Sequence, residues 1–318
     1  MEKPVLSVEN LSLDFHLRTH ILHAVRDVSF ELHRGRTLAL VGESGSGKSV
    51  TARSLMRIVD KPGVMVGGRI ILRTQGREVD LAQLASNSPE VRAFRGARIG
   101  LIFQEPMSSL SPVHTIGSQI DEVIRLHSGM DKRAARARTV ELLGQVEIPN
   151  PAEMADRYTF EFSGGMRQRA MIAMALAVNP DILIADEPTT ALDVTTQAEI
   201  LDLIKRLQTE RGMAMLLITH DMGVVAEVAD DVAVMRFGRI VETGTVDEIF
   251  HAPQHAYTQR LLASTLKLEQ PADARAEAVI TPQPLLTVKG LTKVYGGAKG
   301  FLGTKKFALK AVDDVRLV

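Results

Sequence analysis

Cysteine and tryptophan are both absent from the 318 residues, and the remaining aromatics are ten Phe and three Tyr. Without cysteine there can be no structural disulfide, thiolate zinc module, cysteine-ligated iron–sulfur cluster or cysteine nucleophile, and the chain suits a reducing compartment. So thin an aromatic set does not suggest a base-stacking platform. Charge of one sign is missing too: Lys plus Arg number 38, Asp plus Glu 38, and the net charge is +0. No global positive field exists to hold a polyanion, and nucleic acid is not expected as a partner. Long apolar runs are lacking. The helix-like run Met171 to Val178 falls far short of the roughly 18 residues a bilayer crossing needs, and the opening MEKPVLSVEN has no signal-peptide core. The expectation is a chain made and kept in the cytosol. What is present is ordinary globular material, 45% hydrophobic and 24% charged, enough at about 150 residues per domain for roughly two units.

Periodicity organises this material. Val5 to Phe15 alternates apolar and polar residues as a half-buried strand does, and Ala24 to Leu32 suits its partner. Thr37 to Val41 is a short apolar run feeding a glycine-rich turn, the pattern of a buried parallel strand, and a helix is predicted over Lys48 to Val59. Residues 64 to 100, broken by Gly-Gly, Gln-Gly and Ser-Pro, read as a surface insertion with hairpin character. Helical spacing from Ser118 to Val146, stopped by Pro149 and Pro151, predicts an inserted helical subdomain. A second α/β stretch follows: helix Gly165 to Val178, strand Ile182 to Ala185, helix Thr195 to Glu210, strand Ala214 to Ile218 and short strands from Val232 to Glu242. Such alternation implies a mostly parallel sheet with ligand at the strands' C-terminal ends. Near the end of the chain the pattern restarts. Val5 to Phe15 superposes on Leu285 to Tyr295, and AVRDV (Ala24 to Val28) on AVDDV (Ala311 to Val315), so residues 285–318 read either as the start of a second copy of the domain or as an ordinary C-terminal hairpin.

Five segments carry chemistry. GESGSGKS (Gly42, Glu43, Ser44, Gly45, Ser46, Gly47, Lys48, Ser49) is a phosphate loop. Its glycines turn backbone N–H groups inward as an anion nest, the following helix adds partial positive charge, Lys48 supplies a full one, and Ser49 sets a hydroxyl where Mg2+ would sit. ILIADEP ends an apolar strand in two carboxylates, Asp186 near the metal and Glu187 placed to orient or deprotonate a water attacking the γ phosphate. His220 and Gln104 follow other strands and can reach the same phosphate, metal or water. SGGMRQR (Ser163 to Arg169) opens a helix with paired glycines, a second anion cradle. One triphosphate does not need two cradles. Two domains facing each other, each completing the other's site, would use both.

In their order, GESGSGKS, Gln104, SGGMR, ILIADE, ALD (Ala191 to Asp193) and His220 resemble the Walker A, Q-loop, signature, Walker B, D-loop and H-loop of ATP-binding cassette transporter ATPases, over residues 5 to 265. HAPQHAYTQRLLAS (His251 to Ser264) is similar to the C-terminal mark of the dipeptide, oligopeptide and nickel importer branch, and the restart at 285 to its tandem members. The resemblance implies an α/β fold, a P-loop NTPase (RecA-like) core with a mostly parallel sheet, an antiparallel β subdomain and an inserted helical subdomain at about 104–160. Residues 1–265 would form one cassette, 266–284 a linker and 285–318 the start of a second, truncated one. It further implies ATP and Mg2+ as ligands in a head-to-tail sandwich. Lys48, Ser49 and Asp186 would bind phosphate and Mg2+, and Gln104 would join the metal ligands. Glu187 would be the catalytic carboxylate, with His220 and Gln104 sensing the γ phosphate. Ser163, Gly164 and Gly165, with Asp193, would meet the partner's ATP. Phe15 stands where the family has an adenine-stacking aromatic, although it equally suits the apolar alternation of its strand. Implied partners are two membrane-spanning permease subunits, a periplasmic solute-binding protein acting through them, and a second ATP-binding cassette domain, at the cytoplasmic face of the inner membrane. The solute would be a dipeptide, oligopeptide or glutathione-like peptide.

Two positions depart from the family: Phe162 replaces the usual Leu of the signature, and Met166 the Gln after the glycines. Both leave the Ser-Gly-Gly cradle intact. The basic run KRAARAR (Lys132 to Arg138) is expected to be a solvated helix face, Met166, Met171 and Met174 to fill core or interface, and Pro253 between His251 and His255 argues against a metal pair. Rival readings are a soluble cassette protein acting on ribosomes or DNA, and a nucleotide-binding but inactive fragment.

Overall fold

The structure is a computed structural model and describes residues 3–105, 109–190, 192–266, 286–295 and 309–317. The expected linker lies almost wholly outside the described residues, as does Ala191 of the ALD segment. The chain divides into two compact units, Met1–Lys267 and Leu268–Val318.

The first unit runs β1 (Leu6–His16), β2 (Ile21–Leu32), β3 (Thr37–Val41), α1 (Lys48–Leu55), β4 (Gly63–Thr74), β5 (Arg77–Asp80), α2 (Pro89–Phe94) and β6 (Ile99–Ile102). Helices α3 (Ile116–Ser128), α4 (Lys132–Gln145), α5 (Pro151–Met154) and α6 (Gly164–Ala175) follow. Then come β7 (Ile182–Asp186), α7 (Val194–Arg211), β8 (Ala214–Thr219), α8 (Met222–Val228), β9 (Asp231–Arg236), β10 (Arg239–Thr245), α9 (Val246–His251) and α10 (Ala256–Leu266).

Two sheets result. The larger has the order β10-β9-β3-β8-β7-β6, parallel throughout except for the β9–β10 hairpin. The smaller, β2-β1-β4-β5, is antiparallel. The unbroken apolar runs of the parallel strands are explained by burial on both faces. On β7, Ile182 and Ile184 join the core shared with the antiparallel sheet, while Leu183 and Ala185 join the core beneath α6 and α7. β8 divides likewise, Leu216 and Ile218 to the first, Met215 and Leu217 to the second.

The chain departs from the sequence reading at residues 64–100 and at several helix ends. Residues 64–100 do hold a hairpin, β4 with β5, but not as a surface insertion: β4 pairs along most of β1, and Ile70 and Leu72 are fully buried. Glycines that suggested a loop serve register shifts here. A side chain on Gly68, whose φ is +97, would run into the Leu11 backbone. Helix α1 stops at Leu55 rather than Val59, because Arg57 adopts φ 56 and returns its N–H to Ser54 O, a left-handed residue that ends the helix.

Asp181 ties the sheets together. Its carboxylate accepts Arg34 Nη2 and Thr74 Oγ1, each at 2.8 Å, with Arg98 Nη1 at 3.6 Å. Asp181→Ala leaves a half-buried cluster without its acceptor and is expected to lower the unfolding free energy by about 2 kcal/mol in a urea titration, with Thr74→Val costing about half as much.

In the second unit, β11 (Val288–Tyr295) and β12 (Leu309–Leu317) form an antiparallel pair. Its register repeats that of β1 and β2, bulges included. Val8 faces Phe30, Leu11 faces Val28, Leu13 faces Val25 and Phe15 faces Leu22. Correspondingly, Val288 faces Leu317, Leu291 faces Val315, Lys293 faces Val312 and Tyr295 faces Leu309. Left-handed Asn10 and Asp27 recur as left-handed Gly290 and Asp314, and the bond from Asp27 N to Ser12 Oγ as one from Asp314 N to Thr292 Oγ1.

Candidate active site

The phosphate loop joins β3 to α1 at the C-terminal edge of the parallel sheet, and its shape depends on two glycines. A Cβ on Gly42 would fall 2.1 Å from Met235 O, and one on Gly47, whose φ is +105, 2.5 Å from Ala24 O. The loop is therefore pressed against β9 and β2 with no room for side chains. Lys48 is buried, and its Nζ donates to Gly42 O (2.7 Å) and Glu43 O (2.9 Å). Burial pushes its pKa down, against the pull of Glu187, Asp186 and Glu43.

Asp186 ends β7 only 4% exposed and accepts a 2.8 Å hydrogen bond from Ser49 Oγ. Burial raises its pKa, opposed by the Ser49 bond and by Arg53. At Glu187, φ is 47, and this turn brings its carboxylate within reach of three side chains. Gln104 Nε2 (3.0 Å) and Thr190 Oγ1 (2.9 Å) donate to Oε2, and His220 Nδ1 lies 3.2 Å from Oε1. With Gln104 presenting its amide nitrogen to Glu187, the side-chain oxygen is left to another ligand.

A cavity of about 410 Å³ unites much of this set. Of the expected residues, Phe15, Ser44, Gly45, Gly47, Lys48, Ser49, Gln104 and Glu187 line it, and Asp186 and His220 are bonded directly to that lining. Phe15 is half-buried, packing against the antiparallel-sheet core and also lining the cavity. Gly42, Glu43 and Ser46 serve the loop through their backbone, holding Lys48 and, at Ser46 O, the Gly238 N–H.

Ser163, Gly164, Gly165 and Asp193 do not line the cavity. Ser163 caps α6 by accepting from Met166 N, and Asp193 caps α7 by accepting from Thr196 N. Other lining residues escaped the sequence reading: Leu22, His23, Ala24 and Arg26 from β2, and Phe237 and Gly238 from the β9–β10 turn. The only local signal for this turn is the glycine, since Phe237 takes a left-handed φ of 48 that a bulky side chain rarely adopts. Nothing local could have shown that Gly238 O accepts Arg26 N at 2.7 Å.

The family profile described as ABC transporter matches residues 25–190, more than half of the chain. The chain belongs to the ABC transporter family. A second profile, the oligopeptide/dipeptide transporter C-terminal region, matches residues 241–290 of this cassette protein. Among curated relatives it is 47% identical, over 98% of its own length, to the glutathione import ATP-binding protein GsiA of Salmonella paratyphi A and to that of Shigella flexneri. It spans about half of these relatives, 54% and 53%. Among solved structures it resembles a dimeric ATP-binding cassette in a post-hydrolysis state bound to ADP and Pi (26% identity, TM-score 0.66, 76% of this chain and 98% of that one). It also resembles cbiO1 of Clostridium perfringens, part of the ABC transporter complex cbiONQ (25% identity, TM-score 0.65, 84% and 96%). Among the described residues no helix is long and apolar enough to cross a membrane.

Proposed function

We propose that this ABC protein binds and hydrolyses ATP to energise an importer of small peptides, glutathione-like peptides among them, from the cytoplasmic face of the inner membrane. The observation that carries the reading is the convergence of Lys48, Ser49, Gln104 and Glu187 on one cavity, with Asp186 and His220 bonded to them. Loop amides and Lys48 would hold the triphosphate oxygens, and Phe15 with Leu22 and Ala24 would take the base. Glu187 would orient and deprotonate the attacking water, while Gln104, Thr190 and His220 fix its carboxylate.

Magnesium suits the donors present. Ser49 Oγ, the buried Asp186 carboxylate and the Gln104 oxygen are hard oxygen ligands, and Asp186 is a buried acid that a dication would compensate. When bound, the ion supplies charge stabilisation to the phosphate oxygens and orients the leaving group.

Ser163, Gly164 and Gly165, away from this cavity, would close the site of a second cassette, and Asp193 would lie at the same junction. Supporting a second cassette in cis are the repeated β1–β2 register in β11–β12 and the greater length of the relatives. Leu291 and Val315, exposed here, also stand where Leu11 and Val28 are fully buried. Two membrane-spanning permease subunits, and through them a periplasmic solute-binding protein, are the proposed partners. The import function in the relatives' name and the oligopeptide/dipeptide match support them.

Magnesium-dependent phosphate release by the purified chain tests this reading. At low protein concentration the rate is expected to rise more steeply than linearly, because two copies must meet to complete a site. The position of the Ser-Gly-Gly cradle outside the cavity also favours a second reading, a chain that binds ATP and does not turn it over alone. Normal ATP binding with no phosphate release at any concentration would select it.

A further inference from the structure

The phosphate loop is gripped from behind by a residue of the C-terminal segment. Tyr257, on α10 and 3% exposed, receives the Glu43 backbone N–H on its hydroxyl at 3.1 Å. Its ring lies under the Arg236 guanidinium, 4.8 Å from ring centroid to Cζ, and the same guanidinium lies 4.8 Å over the Phe237 ring. Arg236 Nε is buried without a hydrogen-bond partner, and the guanidinium makes cation–π contacts with both rings. Gly238, next in the turn, donates its N–H to Ser46 O at 2.9 Å. Tyr257 thus reaches the loop at two points, directly at Glu43 and through Arg236, Phe237 and Gly238 at Ser46. Between those points lie Ser44 and Gly45, which line the cavity.

We infer that Tyr257 is a positioning residue for ATP: it holds the phosphate loop in its nucleotide-ready shape and so makes ATP affinity depend on how α10 is docked. A loop whose amides must point inward loses affinity when it gains freedom, because ligand binding then has to order it. Glu43 N is a loop amide that donates to a side chain outside the loop, and Tyr257 is that side chain. The anchor belongs to the same stretch, 241–290, that matches the oligopeptide/dipeptide transporter C-terminal region. Whatever shifts α10 would therefore be felt at the loop.

This inference rests on the reading of the cavity as an ATP site, and the experiment separates the two. Tyr257→Phe keeps the ring under Arg236 and removes only the hydroxyl. Titrated with mant-ATP at a temperature where circular dichroism shows both proteins folded, it is expected to bind about fivefold more weakly than the unaltered chain, the weight of one neutral hydrogen bond. Tyr257→Leu, which also removes the ring, is expected to bind more weakly still. Unchanged mant-ATP affinity in Tyr257→Phe overturns the inference, even if its melting temperature falls, because a purely structural tyrosine would move stability alone. Failure of the unaltered chain to bind mant-ATP overturns the ATP reading instead.

Discussion

Glu187→Gln is expected to cut steady-state phosphate release by about a thousandfold while ATP affinity stays within about twofold, the pattern of a lost general base. The substitution keeps the side chain's length and its turn at φ 47. It removes the basicity on which Gln104, Thr190 and His220 converge. Those three groups also make a sharper test possible. If they serve only to orient the carboxylate, Thr190→Val should lower turnover far less than Glu187→Gln, with little change in ATP affinity. A dimer that persists with ATP in Glu187→Gln, seen by gel filtration, would place hydrolysis after closure. Near-normal turnover would remove Glu187 from the role.

Local parts of this site were legible in the sequence because they are continuous. GESGSGKS after an apolar strand and ILIADE at the end of another each hold a full chemical statement within a few residues, and the structure sets them side by side through the Ser49–Asp186 bond. Parallel strands were legible for a related reason, since burial on both faces writes an unbroken apolar run. What escapes becomes visible only in three dimensions. Thr190 carries no signal in the sequence, because a threonine three positions after Glu187 is commonplace until its hydroxyl is seen on that carboxylate. Tyr257 is 214 positions from Glu43, and its segment resembles a branch mark without revealing that it supports the loop. β4 is hidden in the sequence because Gly67 and Gly68 signal a breaker there, whereas in the sheet they accompany a register shift that keeps Ile70 and Leu72 in the core. The C-terminal repeat shows the converse. A modest match of apolar positions was matched by shared left-handed residues and a shared sequence of bulges, details set by sterics rather than by residue identity.

Asp186→Asn is expected to do two opposite things: stabilise the nucleotide-free chain at neutral pH and abolish its magnesium response. The carboxylate is 4% exposed, with Ser49 Oγ as its hydrogen-bond donor, and burial holds its pKa above the ordinary carboxylate range. A carboxyl of this kind binds its proton more tightly in the folded state. Stability therefore falls as pH rises from the unfolded carboxylate value through the raised folded one, and above that window the whole penalty of a buried charge is present. Asparagine keeps an oxygen for Ser49 and carries no charge, so its melting temperature should exceed that of the unaltered chain at pH 7 and converge with it as pH falls through the window. The functional cost is larger. Loss of an outer-shell partner of a metal costs about 10- to 100-fold in metal affinity or activity, and loss of a charged ligand should exceed that. ATP titrations with magnesium and with EDTA should then coincide for Asp186→Asn and diverge for the unaltered chain. Two outcomes would count against the assignment: a variant less stable at pH 7, meaning that the Ser49 bond outweighs the burial penalty, or one that keeps its magnesium dependence, meaning that the ion is held elsewhere. A gain in stability joined to a loss of magnesium response would mark Asp186 as a residue kept charged for its ligand at the expense of the empty fold.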